Sequence, residues 1–256
     1  MNIAGSRILV VGGTRRLGRL LALDLAAHGA DVAISSRTGG ETAAQTCADI
    51  AALGHRAVAV TGDLTAGDLT AQDSAAAIVD QAADALGGLD ALVFAASGPF
   101  VAQQPEAIDQ AAWDASLDTI AGGFFFAATA ACRHFVEQPA GATPGRGVIV
   151  ALTDTLGGRP QAAFAAHSAA KAAQIALVQA LAKAWGAQGV RVCGIAPGPV
   201  ELPDEPRREA LQRAADRTVL GRPAQPDEIA AAVRFCLEND YLTGQNLAID
   251  GGTLLI

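Results

Sequence analysis

The chain is poor in charged and aromatic side chains, and its cysteines form no paired motif. Of its 256 residues, 17% are charged and 4% are aromatic, against 51% that are hydrophobic. This composition excludes an intrinsically disordered chain. The four cysteines are scattered without C-x-x-C spacing, and no metal-ligand cluster is visible. We therefore expect a globular cytoplasmic protein with reduced thiols and no bound metal.

Positive charge and long apolar runs are also lacking. The formal net charge is −8, which argues against nucleic acid or an anionic membrane as the main partner. The N-terminus has no basic region followed by an apolar run and a cleavage site, so we expect no signal peptide. Asp, Gly, Arg or Gln interrupts each apolar stretch before it reaches the length of a membrane span.

What the sequence does contain is a regular alternation of short apolar runs and longer Ala-rich segments. The runs are typical of buried parallel strands, and the longer segments of helices. Strands are predicted at 7–12, 31–36, 56–61, 90–96, 147–152, 190–195 and 246–250, and helices near 17–28, 41–53, 73–87, 106–137, 164–187 and 226–238. This alternation predicts a single α/β domain over residues 1–256. Its core is a doubly wound, Rossmann-like parallel sheet with helices on both faces.

Residues 199–226 are polar and charged, and they interrupt this alternation. They follow the predicted end of a strand, and ligands of open α/β sheets bind at the carboxyl ends of the strands. We interpret the segment as a candidate substrate lid, the alternative being a surface helix with its loops.

A glycine-rich turn, GGTRRLG, follows the first predicted strand. Gly12 and Gly13 allow a tight turn, and Gly18 allows close packing of helix on sheet. The helix that begins there directs its first N–H groups at a pyrophosphate, so the turn predicts a dinucleotide site.

The choice of dinucleotide is indicated by arginines. Arg15 and Arg16 lie in the turn, and the second strand ends in Ser35-Ser36-Arg37 without an acidic residue. An acidic residue there would bind the ribose 2′-hydroxyl of NAD, whereas serine and arginine suit a 2′-phosphate. We therefore predict NADP(H), the alternative being solvated surface arginines.

Several ordered motifs together resemble the short-chain dehydrogenase/reductase family over essentially the whole chain. They are GGTRRLG, GDL at 62–64, LVFAAS at 92–97, HSAAK at 167–171, IAPGPV at 195–200 and TGQNLAIDGG at 243–252. Within the family the chain looks most like pteridine reductases, which carry arginine at the position of Arg16. They also carry aspartate where most members have the catalytic serine, and Asp154, thirteen residues before His167, occupies that place.

The resemblance implies roles for individual residues. Arg16 and its neighbouring glycines would line the pyrophosphate, Asp63 would contact the adenine, and Lys171 the nicotinamide ribose. The complete implied cofactor site consists of Gly12, Thr14, Arg15, Arg16, Leu17, Gly18, Ser36, Arg37, Asp63, Leu64, Ala95, Ala96, Ser97, Lys171, Pro197, Gly198 and Val200.

The proton-delivery residues of the family are changed. Where the family has an asparagine-rich stretch after the fourth strand, this chain has FAAS at 94–97, and where the family has a helix asparagine, it has Ile120. His167 stands at the position of the catalytic tyrosine, and the only tyrosine in the sequence, Tyr241, lies far along the chain. His167 then either donates a proton or only orients the substrate.

Asp154, His167 and Lys171 are the candidate catalytic residues, and Phe94 and Phe100 join the first two as a predicted substrate pocket. His167 and Lys171 lie at i and i+4, on one helix face. Ketone reduction forms an alkoxide that needs a proton donor, whereas reduction of an iminium gives a neutral amine. We therefore expect an NADPH-dependent reductase of a C=N bond in an imine, iminium or pterin-like small molecule.

Two alternatives remain at this point. One is a carbonyl reductase that uses His167 as its acid, and the other a catalytically silent NADP(H)-binding sensor or scaffold. The helices near 106–137 and 164–187 resemble those that build subunit interfaces in the family, so we expect a homodimer or homotetramer.

Overall fold

The computed structural model describes residues 1–64, 71–98, 100–138, 145–203 and 208–256. Within these ranges seven strands form one parallel sheet in the order β3-β2-β1-β4-β5-β6-β7. The strands are β1 (Arg7–Val11), β2 (Asp31–Ser36), β3 (Ala57–Thr61), β4 (Ala91–Phe94), β5 (Gly147–Leu152), β6 (Val190–Pro197) and β7 (Asn246–Ile249). From β1, strands β2 and β3 extend the sheet to one side, and strands β4 to β7 extend it to the other. The topological switch point therefore lies between β1 and β4, and an open α/β sheet binds its ligand at such a point.

Helices cover both faces of the sheet. They are α1 (Arg16–Ala27), α2 (Glu41–Ala52), α3 (Ala71–Leu86), α4 (Gln110–Leu117), α5 (Gly123–Glu137), α6 (Ala165–Trp185), α7 (Arg208–Ala215) and α8 (Pro226–Glu238). Helices α1 and α8 pack on one face, and α3, α5 and α6 on the other. The predicted doubly wound α/β fold is confirmed.

The side chains of β4 alternate between these two layers. Ala91 and Val93 belong to the cluster beneath α1 and α8, whereas Leu92 and Phe94 belong to the cluster beneath α3 and α5. Phe94 is fully buried, and its ring lies 5.5 Å from that of Phe124, edge to face. The prediction that Phe94 lines the substrate pocket is therefore wrong, because the pleat of the strand turns this side chain into the core.

The helix predicted from residue 106 begins later and is not uniform. A 3-10 turn covers Pro105–Ala107, and α4 starts at Gln110 with the Asp109 carboxylate accepting from Ala112 N at 2.8 Å. A π-helical segment, Asp118–Gly122, then joins α4 to α5. The helix predicted near 106–137 is thus present as the stretch Gln110–Glu137, and the 3-10 turn and the π segment were not predicted, because composition indicates helix but not the hydrogen-bond step within it.

The continuous stretch Gln110–Glu137 is, in the described part of the chain, the one helix long and apolar enough to cross a membrane by length and composition alone. Its window has a mean hydropathy of 1.3, and 56% of that window is buried within the fold. Phe124 and Phe135 are fully buried against the sheet. Packing in the core accounts for this apolar composition.

The predicted lid, residues 199–226, connects the end of β6 to the start of α8. Its two ends are joined by backbone hydrogen bonds, from Ala224 N to Pro199 O at 2.8 Å and from Glu201 N to Ala224 O at 2.9 Å. Helix α7 lies between them, and residues 204–207 of the predicted lid fall outside the described residues. Closure of this segment over a substrate stays a prediction.

Candidate active site

The turn between β1 and α1 has the shape that binds a dinucleotide. Gly12 has φ +80°, and its N–H donates to Ser35 Oγ at 3.1 Å. A Cβ at Gly18 would lie 2.2 Å from Gly12 O, so a larger residue cannot stand there without movement of the backbone. The side chain of Arg15 does not cap α1, which leaves the first N–H groups of the helix to an anionic ligand.

Arg16, the first residue of α1, has φ +49° and is the one described non-glycine residue with a positive φ. A left-handed conformation of this kind costs a non-glycine residue about 1–2 kcal/mol. The resemblance places glycine here in most of the family, and the backbone has kept the glycine conformation while carrying a guanidinium. Arg16 is exposed, so the turn carries a positively charged side chain at the start of α1.

The end of β2 lies beside this turn because Val11 of β1 pairs with Ser35 of β2. Ser36 Oγ accepts from Gly39 N at 2.9 Å, which closes a turn immediately after the strand. Arg15, Arg16 and Arg37 are all exposed at this edge. The predicted arginine sources are thus brought to the same side of the sheet.

The remaining predicted cofactor residues follow the carboxyl ends of neighbouring strands. A Cβ on Gly12 would lie 2.9 Å from Ala96 N, so the segment after β4 contacts the glycine-rich turn directly. Leu64 is buried beneath Gly123 of α5. The set therefore lies at the carboxyl edge of the sheet. Thr14 and Leu17 lie in the turn and the start of α1, Asp63 follows β3, Ala95 and Ser97 follow β4, Pro197 ends β6, and Gly198 and Val200 follow it.

Asp154 and His167 form a pair at the same edge. Asp154 follows β5 by two residues, and His167 lies in the first turn of α6. His167 Nε2 lies 3.1 Å from Asp154 Oδ2, and Asp154 Oδ1 accepts from Leu156 N at 2.9 Å. The structure therefore brings together two of the three predicted catalytic residues.

The Asp154 carboxyl is held in its ionised form. Burial raises its pKa, but hydrogen bonds from His167 and Leu156 N–H, with the charges of His167 and Lys171, outweigh burial, and the net pKa is lowered. An ionised carboxylate only accepts, so Nε2 of His167 must carry the proton between them. His167 Nδ1 is buried without a partner among the described residues.

Lys171 lies one turn after His167 and is 3% exposed. Its Nζ donates to Leu152 O at 2.6 Å and to Gln174 Oε1 at 3.0 Å. Burial lowers the pKa of Lys171 to about 8, although the Asp154 charge acts in the opposite direction. Sequence reasoning missed Gln174, because a glutamine in a helix gives no sign that it is buried.

A cavity of about 220 Å³ lies beside His167. Apolar side chains dominate its lining, which includes Val101, Ile108, Ala112, Ala163 and Phe164. Phe100 stacks on Phe164 with ring centroids 4.4 Å apart and meets the His167 ring edge-on at 4.9 Å. Phe100, which was predicted to line a substrate pocket, thus contacts two residues that line this cavity, Phe164 and His167. The contributions of α4 and Phe164 to the lining were not predicted.

Ile120, at the position of the family's helix asparagine, is fully buried in the π segment. Its side chain can neither donate nor accept a hydrogen bond. Over the described ranges, no group of three or more His, Cys, Asp or Glu side chains is arranged to hold a metal ion.

Similarity to known proteins extends over the whole of this architecture. A family model described as enoyl-(acyl carrier protein) reductase matches residues 12–253. The chain is 34% identical to L-rhamnose 1-dehydrogenase (NAD(P)(+)) of Sphingomonas sp. (strain SKA58), over 98% of this chain and 96% of that protein. It is also 34% identical to cis-4-hydroxycyclohexanecarboxylate dehydrogenase of Sinomonas cyclohexanicum, over 95% and 94% of the two chains.

Among solved structures, a short chain dehydrogenase from Burkholderia cenocepacia J2315 in complex with NADP superposes with a TM-score of 0.85. It is 33% identical, over 99% of this chain and 100% of that one. None of these three relatives is named a pteridine reductase, so that finer resemblance stays a prediction. The chain therefore belongs to the short-chain dehydrogenase/reductase family and is an oxidoreductase of that NAD(P)-binding type.

Proposed function

We propose that the protein is an NADPH-dependent reductase of a C=N bond in a small imine, iminium or pterin-like molecule. The observation that carries the proposal is the Asp154–His167 pair. The carboxylate is ionised, and the Nε2 proton of His167 points at it across 3.1 Å. The site thus presents a fixed negative charge where most of the family has a hydroxyl that hydrogen-bonds to the substrate.

Asp154 favours a substrate that is positively charged when it reacts. Its side chain is 26% exposed, whereas that of His167 is 5% exposed, so the carboxylate is the more accessible of the two. A carboxylate held in a dry, preorganised site stabilises a cation far more than one in water does. We expect it to keep an imine protonated and to orient the resulting iminium.

His167 acts mainly through Asp154. Its one proton in the neutral form lies between Nε2 and Oδ2, so this proton is engaged by the carboxylate. Hydride addition to an iminium carbon yields a neutral amine, which needs no proton from the protein. His167 therefore orients the carboxylate, and the absence of tyrosine and asparagine is no obstacle to this reaction.

The glycine-rich turn and the arginines would hold the dinucleotide, and Lys171 would hold its ribose. When bound, NADPH supplies the hydride. Single-turnover oxidation of NADPH with a cyclic iminium and a cyclic ketone of matched ring size tests the proposal. We expect the iminium to react faster, and faster reaction of the ketone would contradict the C=N assignment.

A second candidate is carbonyl reduction with His167 as the acid. It is favoured by the names of the two dehydrogenase relatives, L-rhamnose 1-dehydrogenase and cis-4-hydroxycyclohexanecarboxylate dehydrogenase. NADPH binding without turnover of either substrate would instead support the silent sensor or scaffold.

Cofactor choice gives a direct prediction. We expect the protein to bind NADPH more tightly than NADH, because Arg15, Arg16 and Arg37 are exposed at the edge of the sheet where a dinucleotide would bind, and arginine suits a 2′-phosphate. Arg37→Asp should weaken NADPH binding about 10- to 100-fold, through loss of a charge-assisted contact and added repulsion. Fluorescence titration of both cofactors measures this.

The matched control for that titration is Arg133→Asp. Arg133 is exposed on α5, near the end of the helix that leads to the amino end of β5, and the substitution changes the net charge equally. It should leave both dissociation constants nearly unchanged. Equal affinity of the parent for NADPH and NADH would end the proposal of NADPH preference.

We also propose that the chain forms a homodimer or homotetramer through the α4–α5 stretch and α6. Trp113 on α4 and Phe125 on α5 are 41% and 38% exposed, which is high for large apolar side chains. Light scattering of the purified protein gives the mass of the assembly. The cytoplasmic location stays an expectation from composition.

A further inference from the structure

Gln174 is a buried polar residue that the mechanism above does not use. It lies in α6, three residues after Lys171, and none of its surface is exposed. Burying an amide is unfavourable unless it is hydrogen-bonded. Its Oε1 accepts from Lys171 Nζ at 3.0 Å, whereas its Nε2 is buried without a partner among the described residues, so the contact with Lys171 is the hydrogen bond that holds this side chain.

The hydrogen bonds of Lys171 define the direction of its ammonium. An ammonium carries three N–H donors. Leu152 O takes one at 2.6 Å and Gln174 Oε1 takes the second at 3.0 Å. The three N–H bonds and the Cε–Nζ bond point to the corners of a tetrahedron. When two N–H bonds are directed at fixed acceptors, the direction of the third N–H bond is therefore fixed as well.

The π segment provides no acceptor for Lys171 in the described hydrogen bonds. Its two buried residues are Thr119 and Ile120, and Thr119 Oγ1 is buried without a hydrogen-bond partner among the described residues. Of the two acceptors that contact Lys171, one is a backbone carbonyl of β5, which no substitution removes. The other acceptor, Gln174 Oε1, belongs to a side chain and can be removed by substitution.

We propose that Gln174 is a positioning residue that, together with the Leu152 carbonyl, holds the Lys171 ammonium so that its third N–H is available to a hydroxyl of the bound cofactor. The inference rests on the proposed function only in taking Lys171 as the residue that contacts the nicotinamide ribose. The amide is neutral, so it directs the ammonium without adding a second negative charge next to Asp154.

Gln174 should also influence the protonation of Lys171. The titratable groups around Lys171 are Asp154, which follows β5, and His167, one turn earlier on α6. Burial lowers the pKa of Lys171 to about 8. An acceptor for the charged form opposes that effect, so removal of the Gln174 amide should lower the pKa further.

The sequence makes this measurable, because Lys171 and Lys183 are its only two lysines. NMR titration of protein labelled with ¹³C in lysine therefore gives two Cε signals, and Lys183→Arg assigns them. We expect Gln174→Met to lower the titration midpoint of Lys171 by about one pH unit, and Gln174→Glu to raise it. A packing role alone would not move the midpoint in opposite directions.

The second arm measures NADPH binding by fluorescence at pH 7. Gln174→Met should raise the dissociation constant several-fold, because the ammonium loses one of its two anchors. Val178→Ala is the matched control, since Val178 is buried one turn later in α6 and does not contact Lys171 through a hydrogen bond. It should lower stability without moving the Lys171 midpoint.

An unchanged Lys171 midpoint in Gln174→Met overturns the proposal, and this variant decides alone if Gln174→Glu does not fold. A shifted midpoint with unchanged NADPH affinity overturns the positioning role toward the cofactor. The NMR arm needs neither cofactor nor substrate. Failure of the parent to bind NADPH or to reduce an iminium would therefore count against the proposed function and would be distinguishable from both outcomes.

Discussion

Asp154→Ala is expected to slow hydride transfer to a cyclic iminium by about 30- to 1000-fold, which corresponds to about 2–4 kcal/mol of transition-state stabilisation. The variant removes an ionised carboxylate that is supported by the Leu156 N–H and by His167. Asp154→Asn is the matched variant, because it keeps the shape and loses the charge. We expect it to be nearly as slow as Asp154→Ala.

His167→Ala should slow the same reaction only a few-fold, because no proton has to reach the product. Single-turnover NADPH oxidation with matched iminium and ketone substrates, measured across pH for the parent and the three variants, separates the roles. If the parent prefers the ketone, and His167→Ala abolishes turnover while Asp154→Ala does not, His167 is the proton donor of a carbonyl reductase.

The second large effect is expected in the pH dependence of stability. The free energy of unfolding should gain about 3 kcal/mol from Lys171 between pH 8 and pH 10.5, since one pKa unit corresponds to about 1.4 kcal/mol. The pKa of Lys171 is about 8 in the folded chain and 10.5 in the unfolded one. Between these values the unfolded chain keeps a proton that the folded chain has lost, so rising pH favours the folded state.

Urea unfolding at pH 7.5, 9 and 10.5 measures this contribution as the difference between the parent and Lys171→Met. Lys171→Met should lack the rise, although it leaves Leu152 O and Gln174 Oε1 without their donor and can be less stable at every pH. Lys183→Met, at an exposed position of the same helix, should retain the rise. If the free energy of unfolding depends on pH in the same way in the parent and in Lys171→Met, then burial does not lower the pKa of Lys171.

The sheet and most of the helices could be predicted from the sequence. Apolar runs such as RILVV are short and lack a polar face, which identifies strands buried on both sides, and the alternation with Ala-rich segments requires parallel crossovers. The glycine-rich turn was also predictable, because the positive φ of Gly12 and the close approach at Gly18 each exclude larger residues.

The errors concern direction and hydrogen bonding within correctly predicted elements. Phe94 was assigned to the pocket from its place near the end of β4, but alternation along the strand turns it into the core beside Leu92. The helix predicted near 106–137 begins at Gln110 after the N-cap Asp109, and it contains a π-helical segment that the sequence did not indicate. Neither the pitch of a helix nor the packing of one ring can be read from composition.

The contacts between distant residues were the least predictable part of the site. The family resemblance assigned Asp154 to the place of the catalytic serine and His167 to that of the tyrosine, whereas their hydrogen bond is seen only in the structure. The anchoring of Lys171 by Leu152 O and Gln174 depends on how closely α6 packs on β5, which no local pattern reveals.

The π segment Asp118–Gly122 separates the shape of the central helix from the chemistry of its side chains. Its widened turn is built by the backbone, and it forms with the apolar Ile120 buried at the position where the family resemblance places asparagine. A hydrogen-bonding side chain at residue 120 is therefore not needed for the helix to take this shape. A substitution at this position would change which groups the site offers to a substrate while the helix that carries them stays in place.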